Sequence, residues 1–142
     1  MAVTYRIEPD EGIVYLTTAG ESSFAEWRDA MLSALSDPQY RRGMGFLSDR
    51  RAQTDVPDPE FARAAAQFLM QHEDEMGGSR WAAVSNQVAV YGMQRMFSIL
   101  SEKTGVTAAA FMDFEQARRW LLGRTEERRD ALAAGEQSAT RA

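Results

Sequence analysis

Polar and charged side chains suited to ligand binding occur in two short segments of this sequence. One segment places a carboxylate beside a guanidinium, and the other combines a Ser-Asn pair with a tyrosine and an arginine further on. A guanidinium binds a carboxylate or phosphate through paired N–H donors, and the free N–H groups of a helix N-terminus attract anions. The candidate ligand-binding residues are Asp49, Arg50, Ser85, Asn86, Tyr91 and Arg95.

These candidate residues also have a purely structural interpretation. In a functional site, Asp49 would be a charge partner or a metal ligand. In a structural role, it would cap a turn or form an ion pair with a neighbouring arginine. Ser85 and Asn86 are residue types favoured at helix N-caps. Tyr91 and Arg95 lie one turn apart on a predicted helix, so they can simply contact each other. The sequence leaves both interpretations open.

Residue types that support catalysis are scarce. The chain has no cysteine, which excludes thiol nucleophiles, Fe–S clusters and thiolate zinc sites, and it has one histidine, which excludes a two-histidine metal site. His72 falls on the apolar stripe of a predicted helix beside Leu69 and Met76, and nothing places a serine and a carboxylate against it. We predict no catalytic residue, no metal and no cofactor.

Composition and charge exclude further classes of function. The chain has 142 residues and a formal net charge of −5, so it offers no basic patch for nucleic acid. No apolar run approaches the roughly 18 residues that a membrane span needs. The first residues, MAVTYRIEPDEG, alternate polar and apolar types and do not resemble a signal peptide. We therefore expect a cytoplasmic protein with no membrane span and no nucleic-acid partner.

Alternating strands and helices are predicted to position the candidate residues. Strands are indicated by period-two alternation or by short apolar runs, and helices by apolar residues three and four apart. Ser23 and Glu26 form a capping box at one helix start, and Gly77-Gly78 ends another helix. The predicted elements are strands at 3–8, 13–18, 45–49, 81–84 and 106–112, helices at 23–37, 59–76, 88–103 and from 113 onward, and a polar loop from Arg50 to Pro59.

The order of these elements, ββαβαβαβα, predicts an α/β fold. Right-handed crossovers make the last four strands parallel, with the N-terminal strand as an antiparallel edge. Ligands of open α/β sheets bind outside the carboxyl ends of the parallel strands, which is where the candidate residues fall. After Gly123 the sequence has one large apolar residue, Leu132. We therefore predict one domain at 1–122 and a polar C-terminal tail at 123–142 that is loosely helical or disordered.

Three segments resemble the SpoIIAA-like branch of the STAS domain family. They are GGSRWAAV at 77–84, YGMQRMF at 91–97 and FMDFEQARRWL at 111–121. The N-terminal hairpin, Gly20 and the FLSD strand are similar too. The resemblance implies a sheet layered with helices that acts as a regulatory or binding module, in a fold that is similar to lipid-binding Sec14-type domains.

A phosphorylation switch is one role that this resemblance raises. In the anti-sigma-factor antagonists of the family, a serine in an Asp-Ser pair at a helix start is phosphorylated to break a partner contact. The corresponding segment here, SDRRAQTD at 48–55, has no Asp-Ser pair. Ser48 and Thr54 are its only hydroxyl side chains and are the candidates for phosphorylation.

These observations together predict a non-enzymatic module that recognises a protein partner or a small anionic or apolar ligand, as a homodimer. The alternative is a small enzyme or carrier with a pocket at the carboxyl ends of the parallel strands. An enclosed cavity where the candidate residues meet would favour the enzyme. Met93 and Met96 either line an adaptable groove or belong to the core, and an exposed apolar patch on their helix would favour the interaction module.

Overall fold

The computed structural model of the chain describes residues 2–56, 58–100, 102 and 104–123. Strands and helices alternate in it as the sequence predicts, with one short helix added after the second helix. The elements are β1 (Val3–Glu8), β2 (Ile13–Gly20), α1 (Phe24–Leu35), β3 (Gly45–Gln53), α2 (Pro59–Gln71), α3 (Glu73–Met76), β4 (Arg80–Val84), α4 (Val88–Leu100), β5 (Thr107–Phe111) and α5 (residues 114–123).

The five strands form one sheet in the order β1-β2-β3-β4-β5. β1 pairs with β2 antiparallel, and every later pair is parallel. The predicted α/β fold, with a mostly parallel sheet and an antiparallel N-terminal edge strand, is confirmed. The strand order does not reverse, so the sheet lacks the switch point at which open α/β sheets form a ligand crevice.

Helices cover both faces of the sheet. Because the strand order never reverses, right-handed crossovers place α1, α2 and α4 on the same side. We call this side the α1–α2–α4 face; its strand residues are Val14, Leu16, Phe46, Trp81 and Ala83. The opposite side, the α5 face, has the strand residues Ile13, Tyr15, Leu47, Ala82 and Val84, which pack against α5.

An aromatic cluster forms the core of the α1–α2–α4 face. The ring of Trp27 in α1 lies 5.3 Å from Phe68 of α2 and 6.0 Å from Trp81 of β4, measured between ring centroids. Phe46 of β3 stacks on Trp81 at 5.3 Å. Because burying a large apolar side chain contributes roughly 1.5–3 kcal/mol, this cluster is a main source of the attachment of the helices to the sheet.

Arginines attach α5 to its face of the sheet. The guanidinium of Arg51 lies 4.7 Å from the ring centroid of Phe114, and that of Arg80 lies 4.8 Å from Trp120. Arg118 of α5 forms a 2.7 Å ion pair with a glutamate in the β1–β2 turn. Cation–π contacts of this kind contribute about 0.5–1 kcal/mol each at exposed sites, so α5 is held by polar contacts along its length as well as by apolar packing.

β3 is longer than the sequence predicts, and this changes the place of Arg50. The sequence predicts an end at residue 49, but beyond a bulge at residues 50–51 of β3 the pairing continues through Ala19–Ala52 and Gly20–Gln53. The predicted polar loop therefore begins at Thr54. Arg50 consequently lies in a strand of the sheet.

The predicted helix at 59–76 is divided at His72. α2 ends at Gln71 and α3 begins at Glu73, because the backbone of His72 leaves the helical region, with φ −114° and ψ 24°. The Nδ1 atom of His72 lies 2.9 Å from the carbonyl oxygen of Phe68, and the two rings stack at 4.1 Å. These contacts give His72 a structural role at the end of α2.

Two further sequence predictions concern the C-terminal tail and membrane-spanning helices. The predicted polar tail lies, except for Gly123, outside the described residues. No helix in the described part of the chain has the length and apolar character needed to cross a bilayer.

Candidate ligand-binding site

A small cavity of 40 Å³ lies between α2, α4 and the sheet on the α1–α2–α4 face. Its wall includes four aromatic side chains, Trp27, Phe61, Trp81 and Phe97. Two polar side chains, Arg50 and Gln94, and the small side chains Ala62, Ala65 and Ala83 line it as well. We call it the Arg50 cavity.

Local sequence explains why this space is open. The alternation of a strand places Arg50 on the same side of β3 as Phe46 and Ser48. Ala62 and Ala65 of α2 are buried against the sheet where larger residues would fill the gap. The cavity therefore follows from small residues on α2 opposite a long polar residue on β3.

Arg50 is a buried cation with a neutral partner. The residue is 7% exposed, and its Nη1 atom donates a 3.0 Å hydrogen bond to Oε1 of Gln53. Its guanidinium lies 5.4 Å from the ring centroid of Phe61. Burial lowers the pKa of Arg50 to about 10, and the negative charge of Asp55 opposes this shift. No carboxylate of the described residues lies within ion-pair distance of Arg50.

Two further groups at the Arg50 cavity lack hydrogen-bond partners. Gln94 is 6% exposed, and both the oxygen and the nitrogen of its side-chain amide are unpaired. The indole nitrogen of Trp27 is also buried and unpaired. A buried polar group left unsatisfied destabilises a fold by about 1–3 kcal/mol, so such groups call for an explanation.

The opening of the Arg50 cavity lies between α2 and α4. Of its lining residues, Phe61 at the start of α2 and Met93 of α4 are half-buried, and the rest are buried. Met93, which the sequence suggested either for a groove or for the core, thus lies at the mouth of this cavity. A methionine adapts its shape easily, which suits packing at the edge of a cavity.

Asp49 lies on the α5 face, away from the Arg50 cavity. Arg51 donates to it through Nε and Nη2 at 2.9 and 2.8 Å, and through its backbone N–H at 3.1 Å. Burial favours the neutral acid, but these hydrogen bonds and the charge of Arg51 together outweigh it and hold the pKa of Asp49 below its ordinary value. Its partner is therefore a neighbouring arginine, as its structural interpretation predicts.

Ser85 and Asn86 follow β4 but do not reach the cavity. Ser85 is buried, and its Oγ accepts a 3.1 Å hydrogen bond from the backbone N–H of Gln87. Asn86 is exposed. The side chain of Gln87 donates to the backbone oxygen of Gln53 at 2.9 Å and so connects this turn to the end of β3.

Tyr91 and Arg95 lie on another side of α4 from Gln94. They line an open groove beside β5, together with Ala109 and Ala110. The six candidate residues are therefore divided among four places, and Arg50 is the one that lines the cavity. Sequence reasoning did not select Gln94, Trp27 or the alanines of α2, because a buried glutamine in a helix has no sequence signature.

The two candidate phosphorylation sites differ in access. Ser48 is 1% exposed, and its hydroxyl is buried without a partner, so a kinase would reach it only after β3 is uncovered. Thr54 is exposed in the loop after β3, where its N–H donates to Gly20 at 3.1 Å. Within the described residues, no group of three or more His, Cys, Asp or Glu residues is placed to hold a metal ion.

A five-stranded sheet of this order, with an antiparallel first strand and helices on both faces, defines a SpoIIAA-like fold, as the sequence resemblance predicts. The chain is similar to the crystal structure of an uncharacterized protein of the DUF3478 family, with a SpoIIAA-like fold, from Shewanella loihica PV-4. The sequences are 17% identical and the TM-score is 0.57, over 84% of this chain and 92% of that chain. No protein-family model matches the sequence, and no curated protein is significantly similar to it.

Proposed function

We propose that this chain is a non-enzymatic binding module that holds a small ligand in the Arg50 cavity. The observation that carries the proposal is the state of Arg50, a guanidinium that is 7% exposed and whose hydrogen-bond partner is neutral. A buried charge without a counter-ion destabilises a fold strongly. Asp55 is connected to Arg50 only through the amide of Gln53. An arginine in this position is expected where a ligand supplies a directly paired negative charge.

The unpaired amide of Gln94 supports the same proposal. Leucine has a similar size and would fill the position without leaving polar atoms unsatisfied. Gln94 and Arg50 line one cavity although they come from α4 and β3. A single ligand in that cavity could therefore satisfy both side chains.

The size of the cavity indicates how a ligand would enter. A volume of 40 Å³ accommodates water but not an organic molecule. Phe61 and Met93 must therefore move apart for a ligand to enter, which separates the start of α2 from α4. This movement would link ligand binding to the outer surface of α4, as a regulatory module requires.

An enzyme is the alternative that the sequence left open. A catalytic site needs an acid, a base or a nucleophile in contact with the substrate. The cavity wall in the described part of the chain supplies a guanidinium, an amide and an indole N–H, which bind and orient but do not exchange protons readily at neutral pH. These groups favour binding over catalysis.

A protein partner, or a second copy of this chain, is the other candidate ligand. Val88 and Ile99 lie three turns apart on one side of α4 and are 78% and 66% exposed. These two side chains support a contact on the outside of α4. The measurement described next distinguishes this candidate because it reports the mass of any complex.

The test is native mass spectrometry of the chain purified from the cells that naturally make it. We expect the wild type to retain a small molecule, released unchanged in mass on denaturation, and Arg50→Met to lose it. Arg95→Ala is the matched control, because Arg95 lies on α4 outside the cavity and the variant should retain the molecule. Retention by Arg50→Met, or a protein complex without any small molecule, would contradict the proposal.

A further inference from the structure

We infer that the ligand of the Arg50 cavity is an amphiphilic monocarboxylate, with its carboxylate bound by Arg50, Gln94 and Trp27 and its apolar body against Phe61 and Phe97. This inference rests on the proposed function and names the class of ligand. The cavity supplies separate features for the head group, for its charge and for its body.

Unused hydrogen-bond donors select the head group. A guanidinium has five N–H donors in a planar fork, and one nitrogen of Arg50 donates to Gln53. The other donors match the two oxygens of a carboxylate. The amide of Gln94 and the indole N–H of Trp27 are further donors without partners at the same cavity. A carboxylate has enough lone pairs to accept from all three side chains.

The positive charge of Arg50 favours a ligand whose head group carries a single negative charge. Arg50 is the one cation among the described residues that line it, and the charge of Asp55 acts on Arg50 as well. Because Asp55 already supplies a negative charge near Arg50, the site takes no more than one further negative charge, which a monocarboxylate carries. A phosphate dianion would leave an excess negative charge in a buried site, which is strongly unfavourable.

The wall of the cavity selects an apolar body. Aromatic rings and alanine methyl groups make up most of it, and Phe61 and Met93 at the mouth are apolar as well. A body without polar groups therefore loses no hydrogen bonds on entry, whereas a sugar or a peptide would leave its own polar groups unpaired. The aromatic rings favour a flat ring or a short chain that can lie against them.

The inference is tested by titration of the purified chain with four probes. Phenylacetate carries a carboxylate on an aromatic body, and hexanoate carries one on an alkyl chain. Compared with phenylacetate, 2-phenylethanol has an uncharged hydroxyl in place of the carboxylate, and phenyl phosphate has a phosphate head group. Calorimetry measures affinity, and tryptophan fluorescence reports occupancy because Trp27 and Trp81 line the cavity. We expect at least one carboxylate to bind about 10-fold or more tightly than the alcohol and the phosphate.

Variants connect this binding to the cavity. Arg50→Met should weaken carboxylate binding by about 10- to 100-fold, and Gln94→Leu, a second variant of near-equal size, should weaken it by a smaller factor. Arg51→Met is the matched control, because the neighbouring arginine lies on the α5 face and its loss should leave the affinity unchanged. Equal loss in Arg50→Met and Arg51→Met would overturn the inference.

The outcomes separate this inference from the proposed function. If phenyl phosphate or 2-phenylethanol binds as tightly as the carboxylates in an Arg50-dependent manner, the chain binds a small ligand but the ligand is not a monocarboxylate. If the molecule retained by the wild type is lost from Arg50→Met but has no carboxyl group, the proposed function holds and the inference of a monocarboxylate is wrong. If no probe binds and the wild type retains no molecule, both the inference and the proposed function are wrong.

Discussion

Arg50 and Arg51 are neighbours in β3, and the alternation of the strand sends them to opposite faces of the sheet. On the α5 face, Arg51 donates hydrogen bonds to the carboxylate of Asp49 at 2.9 and 2.8 Å and covers the ring of Phe114. On the α1–α2–α4 face, Arg50 covers the ring of Phe61 in a similar way, but its hydrogen bond goes to a neutral amide. Identical side chains thus pair directly with a carboxylate on one face and with a neutral amide on the other.

The same contrast extends over the two faces. Among the described residues, the buried side-chain nitrogen and oxygen atoms that lack partners belong to the α1–α2–α4 face or to Ser22 in the loop before α1. On the α5 face, the hydroxyl of Tyr15 donates to Glu11 at 3.0 Å, and Arg118 pairs with the same carboxylate. One face therefore satisfies its polar groups, and the other keeps unsatisfied ones around a cavity.

The proposed function accounts for this difference between the two faces. A fold selected for stability alone would replace Arg50 and Gln94 with apolar residues, since the α5 face shows that this chain pairs its other charges well. Functional sites are where proteins depart from such consistency. Under the proposed function, the α1–α2–α4 face, which holds the larger core, gives up some stability for binding.

We expect the largest change in the free energy of unfolding when a tryptophan on each face is replaced by alanine. Trp81 is 2% exposed and contacts three other aromatic rings, so Trp81→Ala should lower the free energy of unfolding by roughly 3–5 kcal/mol. Trp120 is half-buried on the α5 face, so Trp120→Ala should lower it by about 1–2 kcal/mol. Urea denaturation measures both values. A larger loss for Trp120→Ala would show that the α5 face carries the main core.

The next largest effect is on the free energy of unfolding, which we expect to change in opposite directions when Arg50 and Arg51 are each replaced by methionine. Arg50→Met replaces a buried cation with an apolar side chain of similar length and should raise the free energy of unfolding, in the absence of ligand, by about 1–3 kcal/mol. Arg51→Met removes an ion pair and a ring contact, and should lower it by about 0.5–1 kcal/mol. Urea denaturation of the ligand-free variants gives both values. Destabilisation by Arg50→Met would show that the arginine serves the fold rather than a ligand.

The smallest effect is the pH dependence of the Asp49–Arg51 pair. The pKa of Asp49 lies below its ordinary value in the folded chain, so the folded state binds fewer protons and the pair stabilises it at pH values above that ordinary pKa. The stabilisation is lost as the pH falls through the folded-state pKa. We expect Asp49→Asn to be less stable than the wild type by about 0.5–1 kcal/mol at pH 7. The difference should shrink as the pH falls below the ordinary pKa of an aspartate and vanish once Asp49 is protonated in the folded state, and a difference that persists in strong acid would exclude the ion pair as its cause.

Fold prediction succeeded where the signal was local. The capping box of Ser23 and Glu26 is present in α1, and Asp58 caps α2 with Pro59 at its first position. The errors arose where local signals were overridden. The polar run after residue 49 indicated a loop, yet pairing with β2 extends β3 to Gln53 because hydrogen bonds along a neighbouring strand outweigh weak local preferences.

The prediction of the site relied on residues at the ends of strands. It selected Arg50 because that residue follows a predicted strand, whereas in the structure Arg50 lies within β3. The rule for open α/β sheets assumes a reversal of strand order, and this sheet has none. The proposed site lies instead on one face of the sheet, between α2 and α4. Alternation from Phe46 through Ser48 to Arg50 would have indicated an inward-facing arginine if the predicted strand had been one residue longer.

The sequence by itself determined the order of strands and helices, the parallel sheet and the absence of thiol chemistry, because these follow from periodicity, caps and composition. The tertiary structure alone decided which arginine meets a carboxylate and which faces a cavity. That distinction depends on what the opposite helix presents, alanines and a glutamine on one side and Phe114 on the other. Contacts between residues far apart in the chain leave no periodic signal, so the chemistry of Arg50 emerged only when β3, α2 and α4 were packed together.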